Sequence, residues 1–261
     1  MAGADLDFAH ELADLADSIS SARFRSHDLR VETKPDLTPV TDADTAIERA
    51  LRERIARGRP GEGVYGEEEG DDGAPRGASG GPGLRPGGGG SAAAASSHVR
   101  WIVDPIDGTR NFSRGVPVWA TLIAHEREGE LAAGVVSAPA LGRRWWAARG
   151  EGAFADGSRI RVSPVATLAD ASVSCSLGRD GALLEPHVWH ARNFGDFWQH
   201  VLVAEGALDA AVDTQLALWD SAAVEIVVLE AGGCAGVAAG GQYVTSNGVL
   251  QDAVLALLGD G

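Results

Sequence analysis

Two aspartates, Asp104 and Asp107, follow directly after a short apolar run from Trp101 to Val103. The run is rich in β-branched residues and predicts a buried strand. We expect that strand to end at Asp104 and Pro105, because proline has no N–H to donate to a neighbouring strand. Two carboxylates at the end of one strand lie close together, and like charges repel unless a cation lies between them. The pair therefore indicates a cation site.

The residues after this pair indicate a site for an anion. Asp107, Gly108 and Thr109 predict a turn into a helix, whose first N–H groups would point outward. Anions bind favourably at such helix N-termini. Carboxylates for a cation beside amides for an anion predict a site that binds a metal and a phosphate. The alternative for an isolated Asp-x-x-Asp pattern is a polar turn after a strand.

Three further acidic segments have both a structural and a functional interpretation. Thr41 and Asp44 follow a proline-containing segment and precede a helical pattern, so they could simply cap that helix. Glu67 and Glu68 belong to a Gly-Glu-Glu-Glu-Gly segment, which could be a solvated turn. Asp220 begins another helical pattern and would by default be its N-cap.

The elements that must position these acids can be predicted from periodicity and turn residues. Helices are predicted over residues 5–23, 42–57, 194–206, 219–231 and 252–258. Antiparallel strands are predicted over 120–125, 133–137 and 144–148, and further strands over 172–176, 208–212 and around 237 and 244. Residues 31–44 are predicted to be a loop.

One stretch differs in composition from the rest. Within residues 70–98, glycine and proline fill 13 of 29 positions. Such a segment cannot bury enough apolar surface to offset its ordering entropy. We therefore predict a disordered insert over residues 71–97. Because acidic motifs lie on both sides of it, residues 1–261 are predicted to form a single domain around it.

The composition restricts the classes of partner. A net charge of −15 argues against nucleic acid and anionic membranes, and it requires a phosphate site to gain positive charge locally, as from a bound metal. Two cysteines cannot form a disulfide framework, which fits a reducing compartment. The sequence has no signal peptide pattern and no apolar run long enough to span a membrane. We therefore expect a cytoplasmic protein.

The string Asp-Pro-Ile-Asp-Gly-Thr, followed by Asn-Phe, resembles the metal-binding signature of the inositol monophosphatase family. Companion motifs lie in the family's order at 41–44, 66–68 and 220–233. The resemblance implies an α/β fold, a layered αβαβα sandwich with mixed and antiparallel sheets. It also implies a magnesium-dependent phosphomonoesterase that forms homodimers.

The same resemblance implies roles for individual residues. Two or three Mg²⁺ ions are expected per site, one held by Glu67, Asp104 and the Ile106 carbonyl and another by Asp104, Asp107 and Asp220. Thr109 and Asp44, with Glu67, would be catalytic and would orient the attacking water. The amides of Gly108 and Thr109 would bind the phosphate.

The substrate is suggested by a narrower resemblance. Residues 31–44, 115–119, 143–148 and 195–198 are similar to the branch of the family that hydrolyses histidinol phosphate. That ester carries an ammonium and an imidazole, with which Asp196 and Asp213 could pair, and Asp107 would also face the substrate. Helix capping is the alternative role of Asp196. A phosphatase for inositol or sugar phosphates, or a non-catalytic phosphate- or metal-binding protein, remains an alternative.

Overall fold

A computed structural model describes residues 2–72, 99–175 and 178–259. The helices are α1 (Ala2–Arg23), α2 (Asp42–Gly58), α3 (Thr109–Ser113), α4 (Arg179–Leu184), α5 (Asp196–Ala204), α6 (Leu218–Glu230) and α7 (Gln251–Gly259). The strands are β1 (Val31–Thr33), β2 (Pro39–Thr41), β3 (Gly63–Gly66), β4 (Gly70–Asp71), β5 (Val99–Asp107), β6 (Ala120–Arg127), β7 (Glu130–Ala138), β8 (Arg143–Ala148), β9 (Gly152–Ala155), β10 (Ser158–Arg159), β11 (Ser172–Cys175), β12 (His190–Arg192), β13 (Ala210–Asp213), β14 (Cys234–Val237) and β15 (Tyr243–Ser246).

The elements stack in five layers, as the family resemblance predicted. Helices α1 and α2 cover one face of an eight-stranded sheet with the order β10-β9-β8-β7-β6-β5-β3-β4. Helices α5 and α6 lie on its other face and separate it from a five-stranded sheet with the order β12-β11-β13-β15-β14. Helices α4 and α7 form the last layer. The mixed α/β fold with mixed and antiparallel sheets is confirmed.

Apolar side chains at helical spacing explain the first layer. Phe8, Leu12 and Ala16 of α1 and Ile47 and Leu51 of α2 are buried in one core against the eight-stranded sheet. A second core fills the space between that sheet and α5 and α6, and a third lies under the five-stranded sheet. Burying such side chains is the main favourable term in folding. Each layer is therefore held by its own apolar face.

Strand β5 does not end at Pro105, so that part of the prediction is wrong. It continues to Asp107 through a β-bulge: Asp104 pairs with Leu122, whereas Asp107 pairs with Ala120. One extra residue is thus accommodated on β5, and the missing N–H of Pro105 falls where the pairing is interrupted. Thr121 Oγ1 donates a 2.8 Å hydrogen bond to the Pro105 carbonyl and fixes the bulge to β6.

Two other local predictions need correction. Residues 31–44 were predicted to be a loop, but β1 and β2 form an antiparallel hairpin within them, since Val31 pairs with Thr41. Asp220 is not the N-cap of α6. The helix begins after Ala217, and Asp220 is its third residue, where its carboxylate accepts the Ala217 N–H at 2.8 Å. A side chain at that position satisfies a free N–H of the helix end as well as an N-cap does.

The remaining predicted helices and strands are present with small shifts of their ends. The predicted insert at 71–97 lies almost wholly outside the described residues. Its first residue, Asp71, belongs to β4, and Asp72 accepts a 2.7 Å hydrogen bond from Arg52. None of the helices in the described ranges combines the length and apolar character that crossing a bilayer requires.

Candidate active site

Three aspartates from two elements meet at one point. Asp104 and Asp107 come from the bulged end of β5, and Asp220 comes from the first turn of α6. One carboxylate oxygen of each lies within 4.8 Å of the others. Residues far apart in the chain therefore form a compact acidic cluster, and this is the set that the family resemblance implied for one metal ion.

The cluster is electrostatically unfavourable without a cation. Burial raises the pKa of Asp104 and Asp107 well above the usual range, and neighbouring carboxylates raise it further. Burial also raises the pKa of Asp220 to about 6. Asp104 Oδ1 is buried and has no hydrogen-bond partner among the described residues. Carboxylate oxygens of this kind are the ligands that Mg²⁺ prefers, so the residues fit a divalent cation.

Glu67 lies outside this cluster of three and is held by a cation of the protein itself. Lys34 Nζ, from the turn after β1, lies 2.8 Å from Glu67 Oε1 and 2.7 Å from Glu68 Oε1. Burial opposes the charge on Lys34, but these hydrogen bonds outweigh it and raise its pKa. Burial raises the pKa of Glu68 to about 7. The charge of Glu67 nevertheless raises the pKa of Asp104 and Asp44, so it acts on the cluster.

A buried glutamate that the sequence analysis did not single out shapes the acidic turn. Glu48 of α2 is fully buried, and its carboxylate accepts the backbone N–H groups of Glu68 at 2.7 Å and Glu69 at 3.0 Å. Arg52, one turn later, donates to the same carboxylate at 2.8 Å. A Cβ on Gly66 would lie 2.3 Å from Glu48 Oε1, so only glycine fits beside it. Glu48 thereby fixes the chain on both sides of Glu67.

Thr109 and Asp44, the residues expected to orient the attacking water, contact each other. Thr109 Oγ1 lies 3.2 Å from Asp44 Oδ1 and 2.8 Å from the Ile106 carbonyl oxygen. Asp44 is also half of a capping box with Thr41, the N-cap of α2, so the capping interpretation is correct as well. Burial raises the pKa of Asp44 to about 6. At pH 7 it is therefore mostly ionised and can accept the Thr109 hydroxyl.

The turn between β5 and α3 joins the acidic cluster to α5. Gly108 is the N-cap of α3 and has a φ of 85°, which favours glycine. A side chain there would also approach Asp196, because a Cβ would lie 3.3 Å from Asp196 Oδ2. The backbone N–H of Phe197 donates to Asp107 Oδ2. The phosphate-binding candidates Gly108 and Thr109 thus lie between the cluster and the start of α5.

A cavity of about 330 Å³ opens beside the cluster. Its lining includes Glu67, Asp107, Asp220 and the two predicted substrate residues, Asp196 and Asp213. The other lining residues are Asp36, Thr38, Phe197, His200, Leu216, Ala217 and Trp219. The cavity is therefore lined by three of the predicted metal ligands, Glu67, Asp107 and Asp220, together with the predicted substrate carboxylates, whereas Asp104 and Ile106 are not among its lining residues.

Asp196 is not the N-cap of α5. It is the first residue of the helix, after the N-cap Gly195, and it has a φ of 50°, which is uncommon for a residue other than glycine. Its Oδ2 accepts the Asn111 side-chain amide at 3.1 Å. Burial and the charge of Asp213 raise the pKa of Asp196. This carboxylate is thus held at the cavity wall in an electrostatically costly position.

Sequence reasoning missed Lys34, Glu48, Asn111 and His200 as residues of this region. Two of them carry a signal that could have been used. Lys34 is the single lysine of the chain, which has 21 arginines. Glu48 lies next to Ile47 on the apolar face of α2, where a charged residue needs a buried partner. Asn111 belongs to the signature string but was given no role there, and His200 lies in no motif; the contacts of both depend on distant segments of the chain.

Comparison with known proteins agrees with this geometry. Residues 4–256 match the model of the inositol monophosphatase family. The chain is 49% identical to a histidinol-phosphatase of Mycobacterium tuberculosis, over 98% of each chain. It is 45% identical to a histidinol-phosphatase of Streptomyces coelicolor, over 97% of this chain and 96% of the relative.

Solved structures have the same fold. An IMPase of Thermotoga maritima superposes with a TM-score of 0.81 at 30% identity, covering 98% of this chain and 97% of that chain. The family resemblance predicted from four motifs is therefore confirmed over almost the full length. The chain belongs to the inositol monophosphatase family, and it is a phosphatase of that family.

Proposed function

We propose that this phosphatase is Mg²⁺-dependent and hydrolyses L-histidinol phosphate to L-histidinol and phosphate, a step of histidine biosynthesis in the cytoplasm. The observation that carries the proposal is the cavity, in which Asp196 and Asp213 face the same space as the Asp107 and Asp220 carboxylates. The Asp107 and Asp220 carboxylates suit a metal beside a phosphate, and the Asp196 and Asp213 carboxylates suit a cationic leaving group. The names of the relatives in Mycobacterium tuberculosis and Streptomyces coelicolor support the same substrate.

In this proposal the metal ligands are the three aspartates of the acidic cluster, together with Glu67 and the Ile106 carbonyl. Asp104, Asp107 and Asp220 would hold one Mg²⁺, and Glu67, Asp104 and the Ile106 carbonyl would hold another, with two or three ions per site. When bound, the ions would supply positive charge to the phosphate and lower the pKa of water. Thr109 Oγ1 lies 2.8 Å from the Ile106 carbonyl oxygen, and this oxygen has two lone pairs, so it can contact a metal whether or not Thr109 donates to it. Glu67 would have to share its carboxylate with Lys34.

The residues that hold the attacking water are Thr109 and Asp44. If the Thr109 hydroxyl donates to the ionised Asp44, its oxygen lone pairs are available to accept a hydrogen bond from water. The water oxygen bonds to phosphorus while the phosphorus–oxygen ester bond breaks. The water gives up one proton as it attacks, and the leaving alkoxide takes one up and becomes the hydroxyl of L-histidinol, so the step consumes one water and no other reactant. The amides of Gly108 and Thr109, at the start of α3, would donate to the phosphate oxygens.

Substrate selection would come from the carboxylates of Asp196 and Asp213 in the cavity. L-Histidinol carries an ammonium and a titratable imidazole, whereas inositol offers only hydroxyls. Asp196 and Asp213 would pair with those cationic groups, and charge-assisted hydrogen bonds are among the stronger contacts in proteins. Asp107, which also lines the cavity, would contact the substrate near its phosphate.

A panel of phosphate esters tests this function. The purified protein is assayed with Mg²⁺ on L-histidinol phosphate, inositol 1-phosphate and p-nitrophenyl phosphate, and again with excess EDTA. We expect the highest kcat/KM for L-histidinol phosphate and loss of all three activities in EDTA. A higher kcat/KM for inositol 1-phosphate would contradict the substrate and favour the runner-up, an inositol monophosphatase. Full activity in EDTA would contradict the metal. Light scattering on the same sample tests the expected homodimer.

A further inference from the structure

Two buried side chains of α5 hold the carboxylate of Asp213 at the cavity wall. His200 Nε2 lies 3.1 Å from Asp213 Oδ2, and Gln199 Nε2 donates to the same oxygen. His200 is 1% exposed and Gln199 is fully buried. Asp213, the last residue of β13, lines the cavity. Its position is therefore set from inside the protein by residues of a different element.

Both side chains also make hydrogen bonds to the five-stranded sheet behind them. His200 Nδ1 lies 2.8 Å from Thr245 Oγ1 on β15, and Gln199 Oε1 accepts Ser174 Oγ on β11 at 2.6 Å. Strands β11 and β15 flank β13 in the five-stranded sheet. A chain of hydrogen bonds thus ties three neighbouring strands to the one carboxylate, and it leaves that carboxylate little freedom to rotate.

The chemistry of these groups assigns one protonation pattern to His200. An ionised carboxylate can only accept hydrogen bonds, so the proton of a neutral His200 lies on Nε2. Nδ1 is then an acceptor, and the Thr245 hydroxyl donates to it. The ring of Tyr243 packs edge-on against His200, with 5.6 Å between ring centroids. Packing and both hydrogen bonds therefore fix the imidazole in a single orientation.

The hydrogen bonds from the described residues to Asp213 all end on Oδ2. Oδ1 is thus left for a ligand in the cavity. We propose that His200 is a positioning residue for substrate selection: it directs the free oxygen of Asp213 toward the cationic leaving group. This inference rests on the proposed function, since it assumes a cationic substrate. It adds a residue that does not itself contact the reacting atoms.

Two substitutions of His200 test the proposal. The amide nitrogen of glutamine falls near the position of Nε2, so His200→Gln can still donate to Asp213. The shorter His200→Asn places its amide near Nδ1 and loses that contact. The readout is the ratio of kcat/KM for L-histidinol phosphate to that for p-nitrophenyl phosphate. Loss of one charge-assisted hydrogen bond is worth about 10–100-fold.

We expect His200→Asn to lower this ratio by about tenfold or more, mainly through a higher KM for L-histidinol phosphate, and His200→Gln to restore most of it. In an Asp213→Asn background, His200→Asn should change the ratio little, because its effect passes through Asp213. If His200→Asn does not fold, Thr245→Val tests the same chain. It should lower the ratio in the same direction.

The outcomes separate the two proposals. If the wild type does not prefer L-histidinol phosphate, the proposed function fails, and the role of His200 in selecting a cation fails with it. If the wild type prefers it but His200→Asn leaves the ratio unchanged, the function stands and the inference is overturned. Equal losses for both esters that glutamine does not restore would also overturn it, because they indicate a purely structural role.

Discussion

Lys34 Nζ lies 2.8 Å from Glu67 Oε1, so a carboxylate predicted to bind a metal is already neutralised by the β1–β2 hairpin. A metal at Glu67 would meet this ammonium. We expect Lys34→Met to lower the half-saturating Mg²⁺ concentration, because removal of a like charge favours the cation. Unit charges 4 Å apart interact by about 4 kcal/mol at the protein surface, so part of that repulsion gives about a tenfold change. The measurement is thermal stability against Mg²⁺ concentration.

Arg57→Met is the matched control for this change. Arg57 is an exposed cation of α2 whose ion-pair partner is Glu53, on the same helix. Removing it should not alter the Mg²⁺ response. If Lys34→Met needs more Mg²⁺ than the wild type, the ammonium supports metal binding rather than competing with it.

Asp107→Asn should separate the effects of the acidic cluster on activity and on stability. The change keeps the size of the side chain and removes one charge, so activity should fall by orders of magnitude. Burial and the neighbouring carboxylates raise the pKa of Asp107, so its charge opposes folding when no metal is bound. The metal-free variant should therefore unfold at a higher temperature than the wild type, while its stabilisation by Mg²⁺ is lost. Asp170→Asn, at an exposed aspartate, serves as control. Near-normal turnover would contradict the metal assignment.

Asp196→Asn tests the cationic substrate. Asparagine tolerates the left-handed backbone at this position better than most residues, so the fold should persist. The substitution removes a charge that would pair with L-histidinol, and kcat/KM for that ester should fall by about 10–100-fold. p-Nitrophenyl phosphate has no cation and should lose much less. A parallel loss for both esters would identify Asp196 as structural.

Glu48→Gln should weaken the turn that carries Glu67. The neutral amide of glutamine cannot accept from Arg52 and two backbone N–H groups together. Breaking a buried ion pair costs about 3–5 kcal/mol, and urea denaturation measures this loss directly. Glu53→Gln, on an exposed face of the same helix, should cost under about 1 kcal/mol. If both variants unfold at the same urea concentration, Glu48 does not support the turn.

His125 should make stability depend on pH. It is fully buried, stacks on Trp101 with 4.4 Å between ring centroids, and lies 3.3 Å from Glu62 Oε2. Burial lowers its pKa below the usual 6.5, although Asp5 and Glu62 oppose the shift. The unfolded chain therefore takes up a proton near pH 6.5 that the folded chain binds only at lower pH. The contribution of His125 to stability should therefore be complete above pH 6.5 and decrease as the pH falls below it.

Urea denaturation of His125→Gln and of the wild type at several pH values isolates this contribution, because the other titrating groups are common to both. The free energy of unfolding of His125→Gln relative to that of the wild type should increase as the pH falls from 7 to 5. His187→Gln, at an exposed histidine, should show no such change relative to the wild type. If the difference between His125→Gln and the wild type does not increase as the pH falls, the assignment is contradicted.

Long periodic elements and dense motifs could be predicted from the sequence. Helices α1 and α2 carry apolar faces, and the Asp-Pro-Ile-Asp-Gly-Thr signature contains two of the three clustered aspartates. The β1–β2 hairpin and β12 could not be predicted, because strands of three residues carry too little pattern. The contacts of Lys34 with Glu67 and of His200 with Asp213 depend on tertiary packing. Residue type indicated the chemistry, but only the fold reveals the partners.

The bulge in β5 shifts the alternation of side chains between the two faces of the sheet by one residue. Trp101 and Val103 face the core under α1 and α2, and alternation would send Asp107 to that same core, away from Asp104. Instead Ile106 takes that buried place, and Asp107 turns to meet Asp104 and Asp220. The number of residues between the two aspartates of the signature therefore matters as much as their chemical type. If the strand were regular, with the same residues and no bulge, the two carboxylates would lie on opposite faces of the sheet, although every charged residue of the site would still be present.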